Sequence, residues 1–156
     1  MPTTVLFLCD DNARLGPMAE AYLNRTGQGR VRAFSAGLAP APALAEGVSR
    51  VLGEAGVDDA ALEPKSFELF SLPAAPVPDV VVGLTPAALD ATRPIWPEDA
   101  RLLDWRMEKL ATGSLVGREA LRLAFRRLSA AIDEAMATGQ FLPRALPLLK
   151  VSPSAA

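Results

Sequence analysis

The sequence predicts an α/β fold: one domain on a four-stranded parallel sheet with helices on both faces. Three observations carry this. An unbroken apolar run, Val5 to Leu8, opens through a short loop into a helical pattern. A second run, Asp79-Val80-Val81-Val82-Gly83-Leu84, is β-branched and bounded by turn residues, as a central parallel strand should be. Near the end, Leu121, Phe125, Leu128, Ile132 and Met136 recur at helical spacing. The order strand, helix, strand, helix, strand, strand, helix is that of a parallel sheet with crossovers. At 156 residues the chain is one domain's worth, read here as residues 1–140 with a loosely held tail over 141–156.

The first strand ends at Cys9, and Pro17 suits the first turn of a helix that runs through Leu23. Thr26-Gly27-Gln28-Gly29 is a turn signal before a second strand, Val31 to Ser35. Leu38 to Ala43 alternates proline and alanine as a linker. Leu44, Val48, Val51 and Ala55 give a second helix, with Gly56 at its C-terminal cap. Prolines at 73, 76 and 78 shorten any helix ahead of the third strand. Ala100 to Leu103 forms the fourth strand, ending at Asp104-Trp105. In the last helix Arg118, Arg122, Arg126 and Arg127 lie off the apolar stripe as a solvated face, and Gly139 stops it.

Composition excludes several kinds of chemistry. The chain has no histidine, so Ser-His-Asp and Cys-His catalysis are impossible. With a single cysteine, a Cys/His zinc site cannot be assembled either. One cysteine also rules out an internal disulfide and points to a reducing compartment, the cytoplasm. A net charge of −2 gives no reason to expect nucleic acid. No apolar run reaches the length of a membrane span, and the start, MPTTVLFL, has neither the basic region nor the cleavage site of a signal peptide.

The chemistry therefore concentrates in Val5 to Ala21, VLFLCDDNARLGPMAEA. A strand that ends on a thiol and opens through a tight loop into a helix aims unpaired backbone N–H groups at the sulfur. Such a setting attracts anions and lowers a thiol pKa. The lone cysteine lies inside this motif, which predicts a thiol exposed to the loop.

This stretch resembles the low-molecular-weight protein tyrosine phosphatases and the arsenate reductases of the same fold, whose signature runs strand, Cys, five residues, Arg, Ser or Thr, Pro, Met, Ala, Glu. Cys9, Asn12, Pro17, Met18, Ala19, Glu20 and Ala21 fall in step with it. The family's arginine falls on Leu15 and its Ser or Thr on Gly16, while an arginine stands one place early, at Arg14. Asp10 and Asp11 replace residues that are commonly small or apolar. Ser35-Ala36-Gly37 resembles the Ser-Ala-Gly after the family's second strand, which implies a supporting hydrogen bond between Asn12 and Ser35. Lys65-Ser66 resembles the segment ahead of its third strand. Asp104 stands where the family places its general acid, with Trp105, a candidate flank for the pocket mouth, in place of the usual proline.

The resemblance implies strand order 2-1-3-4, which puts the Cys9 loop at the switch point where anions bind. It implies neither cofactor nor metal. In the implied mechanism the cysteine thiolate attacks phosphorus, loop N–H groups and a bidentate arginine hold the equatorial oxygens, and Asp104 protonates the leaving group. Leu15 removes the fork that suits such oxygens, and loss of even one oxyanion donor typically costs roughly 10²- to 10³-fold in rate. A carboxylate about 5 Å from a bound charge adds roughly 3 kcal/mol of repulsion before screening. Asp10 and Asp11 against Arg14 leave the loop net negative, so the Cys9 pKa should stand above that of active relatives. Moving Arg14 into the fork position would turn the following helix by about 100° and unpack it. The cheaper route is for Arg14 to fold its side chain over the mouth and meet an anion from one side.

Three readings stay open. The first is a degenerate, non-catalytic module that binds a small oxyanion or phosphoester. The second is an atypical phosphatase with Cys9 as nucleophile. The third is an arsenate reductase that forms a Cys9 adduct and relies on an external thiol. The segment after the third strand, Thr85-Pro86-Ala87-Ala88, holds no second cysteine, so an internal relay is excluded, although Ser-Ala-Gly-Leu-Ala-Pro-Ala-Pro leans toward the reductase branch.

Overall fold

The apolar runs form the strands expected of them. The computed structural model describes residues 2–107 and 117–142. Strands β1 (Thr3–Cys9), β2 (Val31–Gly37), β3 (Val80–Gly83) and β4 (Arg101–Asp104) make one parallel sheet in the order β2-β1-β3-β4. Helices α1 (Leu15–Thr26), α2 (Val48–Glu54) and α4 (Gly117–Ala137) lie on one face, and α3 (Ala88–Thr92) lies on the other. β1 is central and buried from Val5 through Cys9, so its polar backbone is satisfied by ladders on both sides.

Alternation along the strands divides the core. Val5, Phe7, Cys9, Val80 and Val82 join Leu15, Met18, Val51, Leu121 and Leu128 under α1, α2 and α4. Leu6, Leu8 and Val81 join Ala88, Leu89 and Trp96 on the other side. The exposed edge of β2 is partly closed by Asn24, whose side chain bonds both the N–H and the carbonyl of Ala33, at 2.8 and 3.0 Å.

Two features differ from the sequence reading. A short helix, α3, followed by a 3-10 turn over Arg93–Ile95, stands between β3 and β4, where none was expected. Its five residues are too few to show a period, yet a parallel crossover needs some such unit. Phe141, read as part of the tail, is fully buried, its ring 6.2 Å from that of Phe7 and 5.9 Å from that of Trp105. The aromatic pairing draws the chain after α4 back onto the core. The rest of the expected tail, 143–156, lies outside the described residues.

Phe141→Ala is expected to cost about 3–5 kcal/mol in urea unfolding followed by circular dichroism. A chain cut after Gln140 should lose a similar amount, whereas a dispensable residue 141 would leave the midpoint in place.

Candidate functional site

The loop between β1 and α1 is shaped by what its carbonyls bond to. Leu38 N donates to the Cys9 carbonyl at 3.1 Å, Ala39 N to Asp10 at 2.8 Å, Ala41 N to Asp11 at 2.8 Å and Ala45 N to Ala13 at 2.9 Å. The linker after β2 is therefore a second rail along the loop. Gly37 permits the approach, since a Cβ there would stand 2.9 Å from the Asp10 carbonyl and 3.0 Å from Asn12 N. Asn12 turns the chain in the left-handed region at φ 52°, which asparagine tolerates better than most residues.

With the carbonyls held outward, the N–H groups of Asn12 and Gly16 lie beside the Cys9 sulfur, where they favour its thiolate form. Helix α1 starts at Leu15 without a side-chain cap, and Pro17 falls in its first turn, where no amide partner is lost. Burial nevertheless pushes the Cys9 thiol up to about 11, against the two N–H groups that lower it and with Asp11 and Asp10 adding to the rise. Cys9 faces the loop amides but is only 2% exposed, which corrects the expectation of an exposed thiol. It stays a neutral thiol at physiological pH.

No protein-family model matches the sequence, and no curated protein sequence does. Solved structures do. A low-molecular-weight protein tyrosine phosphatase from T. tengcongensis superposes with a TM-score of 0.70 at 20% identity, over 87% of this chain and 99% of its own. An arsenate reductase in the phosphate-binding state gives 0.71 at 22%, over 87% and 98%. Vibrio vulnificus Wzb in complex with benzylphosphonate gives 0.66 at 17%, over 86% and 97%. The chain has the fold of the low-molecular-weight protein tyrosine phosphatases and arsenate reductases.

Within this phosphatase fold the residues carried over by resemblance are only partly brought together. Cys9, Asn12, Gly16 and Ser35 converge: a Cβ on Gly16 would lie 2.8 Å from Asn12 Nδ2, 3.1 Å from Cys9 Sγ and 3.2 Å from Ser35 Cβ. The expected bond between Asn12 and Ser35 is absent. Ser35 Oγ donates to Glu20 Oε1 at 2.7 Å, a carboxylate being the stronger acceptor, and Asn12 Oδ1 accepts from Lys65 N at 2.8 Å. Asn12 Nδ2 is buried and without a partner among the described residues.

Leu15, in the family's arginine position, is 7% exposed and packs into the same core as Cys9. Arg14 is exposed: its carbonyl accepts from Met18 N at 3.1 Å, and its guanidinium makes no hydrogen bond or ion pair among the described residues.

Asp104 is not brought to the sulfur. It stands in register with Gly83, which in turn pairs with Leu8. Opposed residues share a face, and Leu8 and Gly83 face α3 whereas Cys9 faces α1. Two strand spacings, about 10 Å, separate the backbones as well. The Asp104 carboxylate accepts from Arg106 Nε at 2.9 Å. Trp105, expected at a pocket mouth, packs its ring 6.2 Å from Phe7. Asp10, just past β1, accepts from Thr85 Oγ1 at 2.9 Å across the ends of β1 and β3.

Sequence reasoning placed Glu20 and Lys65 within the motifs but missed that they pair. Their Oε1 and Nζ lie 3.5 Å apart behind the loop, with Glu20 8% exposed. The available signal was a carboxylate within the otherwise apolar buried run Pro17 to Ala21, because such a group is rarely buried unpaired.

The raised Cys9 pKa has a definite sign for stability. The neutral thiol is fully accommodated below the ordinary value of 9.0, and about 3 kcal/mol is lost as pH rises through about 11. Wild-type protein should therefore lose more stability over this interval than Cys9→Ala, in parallel urea titrations that cancel the contributions of other groups. Iodoacetamide at pH near 8 should leave folded Cys9 unmodified and label it in denaturant. Rapid labelling of the folded protein would contradict the buried thiol.

Proposed function

We propose that this protein keeps the phosphatase fold's amide cradle as a binding site for a small oxyanion or phosphoester, with phosphomonoester turnover weak or lost. The observation that carries the reading is Leu15: where a guanidinium clamp is expected, an aliphatic side chain lies in the core. The transition state then lacks two charge-assisted bonds, and removal of one oxyanion donor alone costs roughly 10²- to 10³-fold. The neutral Cys9 thiol supports the same reading, because the thiolate is the nucleophile. So does Asp104, which is turned to the opposite face and paired with Arg106. A ligand is supported by the retained Asn12 and Gly16 amides and by neighbours of this fold described with bound phosphate or benzylphosphonate.

Hydrolysis of p-nitrophenyl phosphate tests turnover, with Cys9→Ser, Leu15→Arg and the packing control Leu15→Met alongside. Wild-type protein should match Cys9→Ser, and Leu15→Arg should exceed both by about 10²-fold. Wild-type turnover abolished by Cys9→Ser would overturn the loss of catalysis. Titration with phosphate should shift the Asn12 and Gly16 amide resonances saturably, and amides that do not move would overturn binding. Arsenate-dependent oxidation of an added low-molecular-weight thiol would replace this reading with that of a reductase using an external thiol.

A further inference from the structure

Lys65 touches three parts of the cradle at once. Its main-chain N–H donates to Asn12 Oδ1 at 2.8 Å, and its carbonyl accepts from Gly37 N at 2.8 Å. Its ammonium lies 3.5 Å from Glu20 Oε1, the oxygen that also accepts from Ser35 Oγ at 2.7 Å. Glu20 is in the second turn of α1, Ser35 near the end of β2 and Asn12 in the loop itself. One residue thus ties helix, strand and loop together behind the sulfur.

The dependence is one-sided. Asn12 is fully buried in the left-handed region, and its only side-chain hydrogen bond among the described residues is the one from Lys65 N. The segment leading to Lys65, from Val57 on, contains no helix or strand. What fixes Lys65 is the short bridge between Gly37 and Ser66, the ion pair with Glu20 and a 3.4 Å hydrogen bond from its ammonium to the Glu63 carbonyl. Neutralising either partner leaves the other charge poorly compensated in a confined site, so the segment shifts and Asn12 goes with it.

We infer that Lys65, through its pair with Glu20, is a positioning residue that keeps the Asn12 amide aimed at the Cys9 sulfur. This rests on the reading of the Cys9 loop as the functional site. Lys65 acts on the sulfur only through Asn12. The charged groups that act on Cys9 directly are Asp11 and Asp10, which the test leaves unchanged.

The experiment is a titration of thiolate absorbance near 240 nm in Lys65→Met and Glu20→Gln, each read against the same variant carrying Cys9→Ser. That subtraction removes the single tyrosine, Tyr22. The two substitutions delete opposite charges, so a direct field effect moves the Cys9 midpoint in opposite directions. Loss of positioning moves both upward, by about one pH unit for one lost N–H bond to a thiolate. Lys65→Arg keeps the cation and should restore the wild-type midpoint, and Lys65→Gln stands in if Lys65→Met does not fold. Opposite shifts, or an unmoved midpoint in a variant that melts like wild type, overturn the inference. Cys9 titrates whether or not the protein turns over substrate, so this result and the phosphatase assay fail independently.

Discussion

The cradle is built by main-chain hydrogen bonds made on its outer side. The carbonyls of Cys9, Asp10, Asp11 and Ala13 are all taken by N–H groups of residues 38–45. A peptide unit that commits its carbonyl outward presents its amide the other way, and in a tight loop these amides converge on one point. Gly37 permits the contact, because a Cβ there would collide with backbone atoms of Asp10 and Asn12. The concave, donor-lined shape therefore does not depend on an arginine or on a bound anion.

Shape and charge separate at this site. The loop brings amide donors beside the sulfur, yet the charges around it are unfavourable to an anion: two aspartates beside Cys9, and Leu15 where the resemblance implies a guanidinium. Two N–H donors lower the thiol pKa, and burial outweighs them. Desolvation of a whole unit charge opposes the favourable alignment of two partial charges, so the larger effect wins.

Much of the fold was legible in the sequence because β1 and β3 are uninterrupted apolar runs and the α4 stripe is regular. The strand order came from the motif's resemblance, not from periodicity. Cys9, Asn12, Gly16 and Ser35 were legible as neighbours, since the strand, the loop and the Ser-Ala-Gly run force them to one edge. Their bonding was not. Whether Ser35 reaches Asn12 or Glu20 depends on a carboxylate that faces inward, and helix phase alone does not reveal that. Asp104 illustrates the same limit: its position at the strand end was correct, but one residue of register decides which face it leaves by.

Gly16 and Asn12 have a linked consequence. Any side chain at residue 16 would begin 2.8 Å from Asn12 Nδ2, so the Ser or Thr expected there cannot be seated while Lys65 N holds Asn12 Oδ1 in place. The glycine leaves Nδ2 without a partner among the described residues, at a cost of about 1–3 kcal/mol for a buried donor. A loop that tolerates this is held chiefly by its backbone rail and by Lys65, not by hydroxyls inside it. Positions 12, 16 and 65 therefore form one coupled unit. Placing an arginine at 15 supplies the clamp for an oxyanion, but the support beneath the sulfur still depends on which partner holds Asn12.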